Sequence, residues 1–186
     1  MAALPRRDFL PAEVRERAFL DEPLPIGHGA TCSQPWTVQF MLDLLHVQPG
    51  DKVLDVGSGS GWTTALLAHL TGPHGAVVGI DVVPELVEAA RARLPRGFTW
   101  AHIEHADPHL LGVPRGEPFQ RILVSADAGN IPPELEEQLA DGGRLVVPAA
   151  GVMWVVDREH DGFHREPVTG YRFAFVALQH APSQPC

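Results

Sequence analysis

Between Val53 and Leu70 the chain reads VLDVGSGSGWTTALLAHL, and the pattern Asp55-x-Gly57-x-Gly59-x-Gly61 falls where an apolar run gives way to a helical one. Glycines at such a junction admit positive φ and strip the backbone of side chains, so amide groups can approach a bulky ligand lying over the helix start. A second acid, Asp81, closes the run VVGID twenty residues after Gly61. At that distance a carboxylate can accept both hydroxyls of a nucleoside ribose; a helix cap ahead of Pro84 is the other use of an acid there. A dinucleotide loop needs a third small residue, yet Trp62 follows Gly61, so a pyrophosphate would meet an indole. An acid inside the strand, Asp55, suits a cationic ligand better than a phosphate. The pattern points to a nucleoside that carries positive charge, with a dinucleotide site and a merely tight turn as the competing readings.

The elements that must hold these residues alternate. Strand-like runs are predicted at 52–57, 75–81, 98–103, 121–126 and 144–149, with helical patterns at 61–70, 84–94 and 132–140 between them. Such alternation implies right-handed crossovers and an α/β fold, a doubly wound, mostly parallel sheet covered on both faces. The glycine loop then lies at the carboxyl end of the first of these strands, where ligands bind when the winding reverses. Upstream, residues 12–21 read as a short helix, Leu24 to Pro35 as a glycine- and proline-marked loop, and Pro35 onward as a helix with Val38, Met41, Leu42 and Leu45 on one face. Downstream, MWVVDREHDGFHREPV reads as a hairpin turning at Asp161-Gly162 and YRFAFVAL as a last strand, giving the sheet an antiparallel C-terminal edge.

Bulk properties narrow the function. The 186 residues, 45% hydrophobic and 20% charged, suffice for one domain spanning 1–186 and fall short of two. Neither an 18-residue apolar run nor a secretory h-region is present, so a cytoplasmic protein without membrane contact is expected. A net charge of -9 with fourteen scattered basic residues argues against nucleic acid. Cys32 and Cys186 form no C-x-x-C pair, and the histidines at 102, 105 and 109 have no further ligands at metal spacing, so neither a disulfide framework nor a metal site is expected. A monomer is the default.

The D-x-G-x-G-x-G spacing resembles the first motif of class I S-adenosylmethionine-dependent methyltransferases, a Rossmann-like fold. Other segments narrow the resemblance to the protein-L-isoaspartate O-methyltransferases. LPIGHGATCSQPWTVQFMLDLL is similar to that family's Leu-Pro-Ile-Gly loop, Thr-x-Ser-x-Pro segment and helix. GIDVVPELVEAARARL resembles its second cofactor motif, PFQRILVSADAGNIPPELEEQLADGGRLVVPAAG its fourth strand, Ile-Pro-Pro helix and following strand, and FVAL its closing Phe-Val-Pro-Leu. The resemblance runs from about Arg6 to Leu178, and its specific part is residues 24–35 joined to 131–148.

It implies S-adenosyl-L-methionine as cofactor, S-adenosyl-L-homocysteine as product, and contacts from Asp55, Gly57, Ser58, Gly59 and Gly61 on the first strand and loop, Asp81 and Val82 on the second, and Asp107 beside the adenine amino group. For Asp107 an Asx turn before Pro108 is the competing reading. The implied acceptor is the side-branch carboxylate of an L-isoaspartyl residue in a damaged protein or peptide. That carboxylate is ionised near neutral pH and is itself the nucleophile, so no general base is needed and catalysis is positioning and desolvation. Thr31 and Ser33 fall where the family grips substrate, Ser33 donating to the acceptor carboxylate; capping of the Pro35 helix is their alternative use. Departures from the family pattern lie at Ala30, Cys32, Ala106, Pro108, Gln120 and Ala177. They leave room for a methyltransferase with another small-molecule or dedicated peptide acceptor, or for a non-catalytic cofactor-binding relative.

Overall fold

A computed structural model describes residues 3–116 and 118–178. Cys186 lies outside that range. Seven strands form one sheet: β3 (Lys52–Val56), β4 (Ala76–Asp81), β5 (Ala101–His105), β6 (Phe119–Val124), β7 (Leu139–Ala149), β8 (Val152–Glu159) and β9 (Gly162–Val168), in the spatial order β5-β4-β3-β6-β7-β8-β9. The first five are parallel to their neighbours, and β8 and β9 add antiparallel. Winding reverses between β3 and β6, which opens a crevice beyond their carboxyl ends.

Alternation along each strand splits the core between the two faces. Val53, Leu123 and Val146 pack with α1 (Pro35–Leu45) and α2 (Trp62–Thr71), whereas Leu54, Ile122 and Val147 pack on the opposite side with Leu135 of the single-turn α4 (Pro133–Glu136). The helix α3 (Pro84–Arg93) presents Leu86, Val87 and Ala90 inward. On α1 the buried set includes Val38, Met41, Leu42 and Leu45, the face read from the sequence.

Several boundaries differ from the sequence reading. The strand expected at 98–103 begins at Ala101, because Trp100 turns its indole to the carbonyl of Ala68 at 2.8 Å and Phe98 packs on Trp100 at 5.1 Å. The helix expected at 132–140 stops at Glu136. The Gln138 side chain binds the Val113 amide and the Leu111 carbonyl, and the chain enters β7 at Leu139. The loop at 24–35 is a small hairpin, β1 (Leu24–Gly27) with β2 (Ala30–Cys32), and the helix at 12–21 is a 3-10 segment, Ala12–Arg17. The run YRFAFVAL joins no sheet as a regular strand; it is extended chain tied at one bridge, Asp127 to Ala177.

One buried cation fixes the hairpin. Arg6 is 5% exposed, and its guanidinium donates to the carbonyls of Leu20, Glu22 and Cys32 at 2.8–3.2 Å and to Cys32 Sγ at 3.5 Å. Cys32 thus packs in the hydrophobic core and also takes part in a charged network. Arg6→Met should lower stability by about 2–3 kcal/mol, since it strands three carbonyls that a charged donor now satisfies. A urea denaturation midpoint unchanged by the substitution would contradict that role.

Candidate active site

The glycine loop begins where β3 ends. Gly57, Gly59 and Gly61 all have positive φ, +79°, +48° and +82°. The amides of Gly57 and Ser58 both donate to Ile80 O at 2.9 Å, which stitches the loop to β4, and Gly61 N–H donates to Ser58 O before α2 starts. At Gly61 a Cβ would stand 3.0 Å from Ala90 Cβ and 3.2 Å from Ile103 Cδ1, so this glycine lets α3 and β5 close on the loop from behind. Trp62 points away from the crevice, its indole N–H donating to Leu4 O at 3.0 Å.

Asp81 is held by two amides. Its Oδ2 accepts from Gly59 at 2.9 Å and its Oδ1 from Val83 at 3.0 Å. The residue that caps α3 is Val83, so Asp81 serves chiefly to join the tip of β4 to the glycine loop. Each carboxylate oxygen has used one acceptor site and keeps another.

These elements enclose a cavity of about 380 Å³ at the carboxyl ends of β3, β4 and β6, within the range of small-molecule sites. Of the residues singled out from the sequence, Gly57, Gly59, Asp81, Val82, Asp107, Thr31 and Ser33 line it, while Asp55, Ser58 and Gly61 stand behind the wall. Asp107 makes the Asx turn, accepting from the His109 amide at 2.8 Å, and still contributes to the lining. Thr31 and Ser33 do not cap α1. Its N-cap is Gln34 without a side-chain bond, and the free Trp36 amide is taken by Asp21 Oδ1 at 2.8 Å. Among the described residues, both hydroxyls are left without a protein hydrogen bond.

The far wall escaped the sequence reading. Residues Arg172–Leu178 run along the cavity, held by Asp127. The Asp127 carboxylate accepts from the amides of Gly129 and Ala150 at 2.8 and 2.9 Å and of Gly151 at 3.2 Å. Its own backbone pairs with Val176 O and Leu178 N–H at 2.9 and 2.8 Å. The Asp-x-Gly spacing at 127–129 is a turn signal, but nothing local announces the bonds to residues 150 and 151. Among the lining residues, basic side chains come from His28 and Arg172 alone, against the acids Asp81 and Asp107.

Asp55 is fully buried. Its Oδ2 accepts from Thr64 Oγ1 at 2.6 Å and its Oδ1 has no partner. Thr64 reaches it because Gly79 has no side chain: a Cβ there would lie 2.6 Å from Thr64 Oγ1. Desolvation pushes the Asp55 carboxyl up to about 7; the Thr64 bond opposes the rise and the Asp81 charge adds to it. Below about pH 4 the group is protonated in folded and unfolded chains alike. Between there and about pH 7 the unfolded chain releases its proton while the folded one keeps it, so this group's contribution to stability falls as pH rises and levels off above. Without ligand, Asp55→Asn should therefore be more stable than the wild type at pH 8, by on the order of 4 kcal/mol, and the gap should close towards pH 4. Parallel stability–pH curves for the two proteins would contradict this.

Comparison with known proteins agrees with the geometry. A profile of the family described as protein-L-isoaspartate(D-aspartate) O-methyltransferase matches residues 1–180. A protein-L-isoaspartate O-methyltransferase of Anaeromyxobacter dehalogenans is 44% identical over 190 residues, covering 98% of this chain and 88% of the relative. One from Methanopyrus kandleri is 40% identical, covering 96% and 80%. In fold, the chain resembles a β-aspartate methyltransferase of Plasmodium falciparum solved with S-adenosyl-L-homocysteine, with a TM-score of 0.81, 24% identity and coverage of 97% and 88%. Profile and relatives together show that the chain belongs to the protein-L-isoaspartate(D-aspartate) O-methyltransferase family.

Proposed function

We propose that the protein transfers the methyl group of S-adenosyl-L-methionine to the side-branch carboxylate of L-isoaspartyl residues in damaged proteins and peptides, a repair reaction that leaves S-adenosyl-L-homocysteine. The observation that carries the reading is the Asp81 carboxylate, held on the cavity wall by Gly59 and Val83, in one cavity with the unpartnered hydroxyls of Thr31 and Ser33.

The lining fits the cofactor. Asp81 retains acceptor capacity for two ribose hydroxyls. Gly57 and Gly59 offer a wall without side chains, and Ile80, Val82, Leu110 and Leu111 supply apolar surface near Asp107 for a purine. Asp55, Ser58 and Gly61 act from behind by holding the loop's shape. Bound there, S-adenosyl-L-methionine supplies a methyl group made electrophilic by a sulfonium.

The protein's own residues do the rest. Ser33, at the end of the hairpin and ahead of α1, donates to the acceptor carboxylate and orients it, and Thr31 supplies a second hydroxyl beside it. The tail at 172–178 screens the site from water and thereby strengthens these contacts. Arg172 offsets the negative charge of Asp81 and Asp107 as an anionic acceptor enters. No side chain has to take a proton, because the acceptor arrives ionised. We place the enzyme in the cytoplasm as a monomer; among the described residues, no helix is long and apolar enough to cross a membrane.

The test is methylation of matched isoaspartyl and aspartyl peptides with labelled cofactor. Selective labelling of the isoaspartyl peptide is expected; labelling of neither, or of both equally, would overturn the reading. Asp81→Ala should weaken cofactor binding by about 1.5–3 kcal/mol, the cost of losing charged hydrogen bonds, as measured by calorimetry with S-adenosyl-L-homocysteine. Ser33→Ala should leave that affinity intact and lower kcat; an equal loss of both would make Ser33 structural.

A further inference from the structure

Four aromatic rings gather at the outer lip of the cavity. Trp36 and Phe40, one turn apart on α1, stack with centroids 5.1 Å apart and planes inclined by 11°. From the tail, Tyr171 lies 5.3 Å from Trp36 and 5.4 Å from Phe40, and Phe173 lies 5.6 Å from Phe40. Rings packed this well ordinarily belong to a core, yet Trp36 is 41% and Tyr171 51% exposed. Contiguous exposed apolar surface of this kind marks a contact site, and mutual stacking fixes the rings so that little side-chain freedom is lost when a partner covers them.

The platform is continuous with the acceptor end of the cavity. Trp36 and Phe173 line the cavity as well as the platform, with Arg172 between Tyr171 and Phe173. Trp36 also follows Ser33 by three residues, less than one helical turn of chain. A peptide whose acceptor carboxylate reaches Ser33 must carry its neighbouring residues out over the lip, and the rings are what they meet there. The chain's net charge of -9 gives it no general attraction for the many proteins that are themselves acidic, so affinity for the residues that flank the acceptor has to come from local contacts such as these rings.

We infer that the Trp36–Phe40–Tyr171–Phe173 platform is the docking surface for the peptide that flanks the isoaspartyl residue, and that it favours substrates with an aromatic side chain within two residues of the acceptor. The inference rests on the isoaspartyl reading above. Two isoaspartyl peptides that differ only in phenylalanine or glycine two residues from the acceptor, on either side, provide the test. The wild type should show a KM about tenfold lower for the phenylalanine peptide, as expected of a contact worth about 1.4 kcal/mol, with kcat alike for both. Tyr171→Ala, a change at an exposed ring, should bring the two KM values together without altering affinity for S-adenosyl-L-homocysteine, and Tyr171→Phe should retain the preference. Equal KM values in the wild type, or a preference that survives Tyr171→Ala, would overturn the inference while leaving the isoaspartyl reading intact. Failure to label either peptide would overturn both. Sedimentation provides the last check: a wild-type dimer dissolved by Tyr171→Ala would assign the platform to a second copy of the chain and overturn peptide docking.

Discussion

The bond from the Gly59 amide to the Asp81 carboxylate ties the end of one strand to the end of its neighbour. It can form only because the loop turns through positive φ at three glycines, which aims amides back at the sheet. Without it the loop would be tied to β4 by the two bonds to Ile80 O alone, and Asp81 would keep only the bond from the Val83 amide. The same contact holds the Asp81 carboxylate on the cavity wall. Near it stands a second acid, Asp55, that burial drives towards its neutral form.

The acceptor side is organised differently. Its parts come from distant segments of chain, and each is fastened by a charged side chain acting on backbone atoms. Arg6 gathers carbonyls to hold the hairpin that ends in Thr31 and Ser33, Asp21 takes the free amide at the start of α1, and Asp127 gathers amides to hold the tail. Such bonds orient a segment without tightly specifying its side chains. The wall and lip can therefore vary in sequence while their backbone path stays fixed, which suits the acceptor role proposed above.

The cofactor half was legible in the sequence because its signals are local. Three spaced glycines, an acid at a strand end and the strand–helix alternation are all contained in short windows, and the sheet order and glycine turn follow from them. Where the reading failed, tertiary contacts had overruled local pattern. Trp100 left the strand to reach Ala68 O, Gln138 ended a helix by binding residues 111 and 113, and the apolar run 171–178 read as a strand although it lies against a loop and a cavity. Asp55 illustrates the same limit: the sequence marks an acid near a cationic ligand, but only the fold shows it facing Thr64 and sealed from the cavity. Arg6 and Asp21 carry no local signal because their partners lie between 14 and 26 residues away in the chain, and of the Asp127 partners only Gly129 is close in sequence.

The aromatic lip and the tail join α1, near one end of the described chain, to residues that follow the last strand of the sheet. Closing so long a loop carries a larger entropic cost than any contact inside the glycine turn, and the closure adds no regular strand to the sheet. The seam therefore depends on ring stacking and on the bonds of Asp127 rather than on ladder hydrogen bonds. The lip is thus fastened apart from the strand ladder, so a substitution in the tail can reshape it without disturbing the strands that carry the glycine loop.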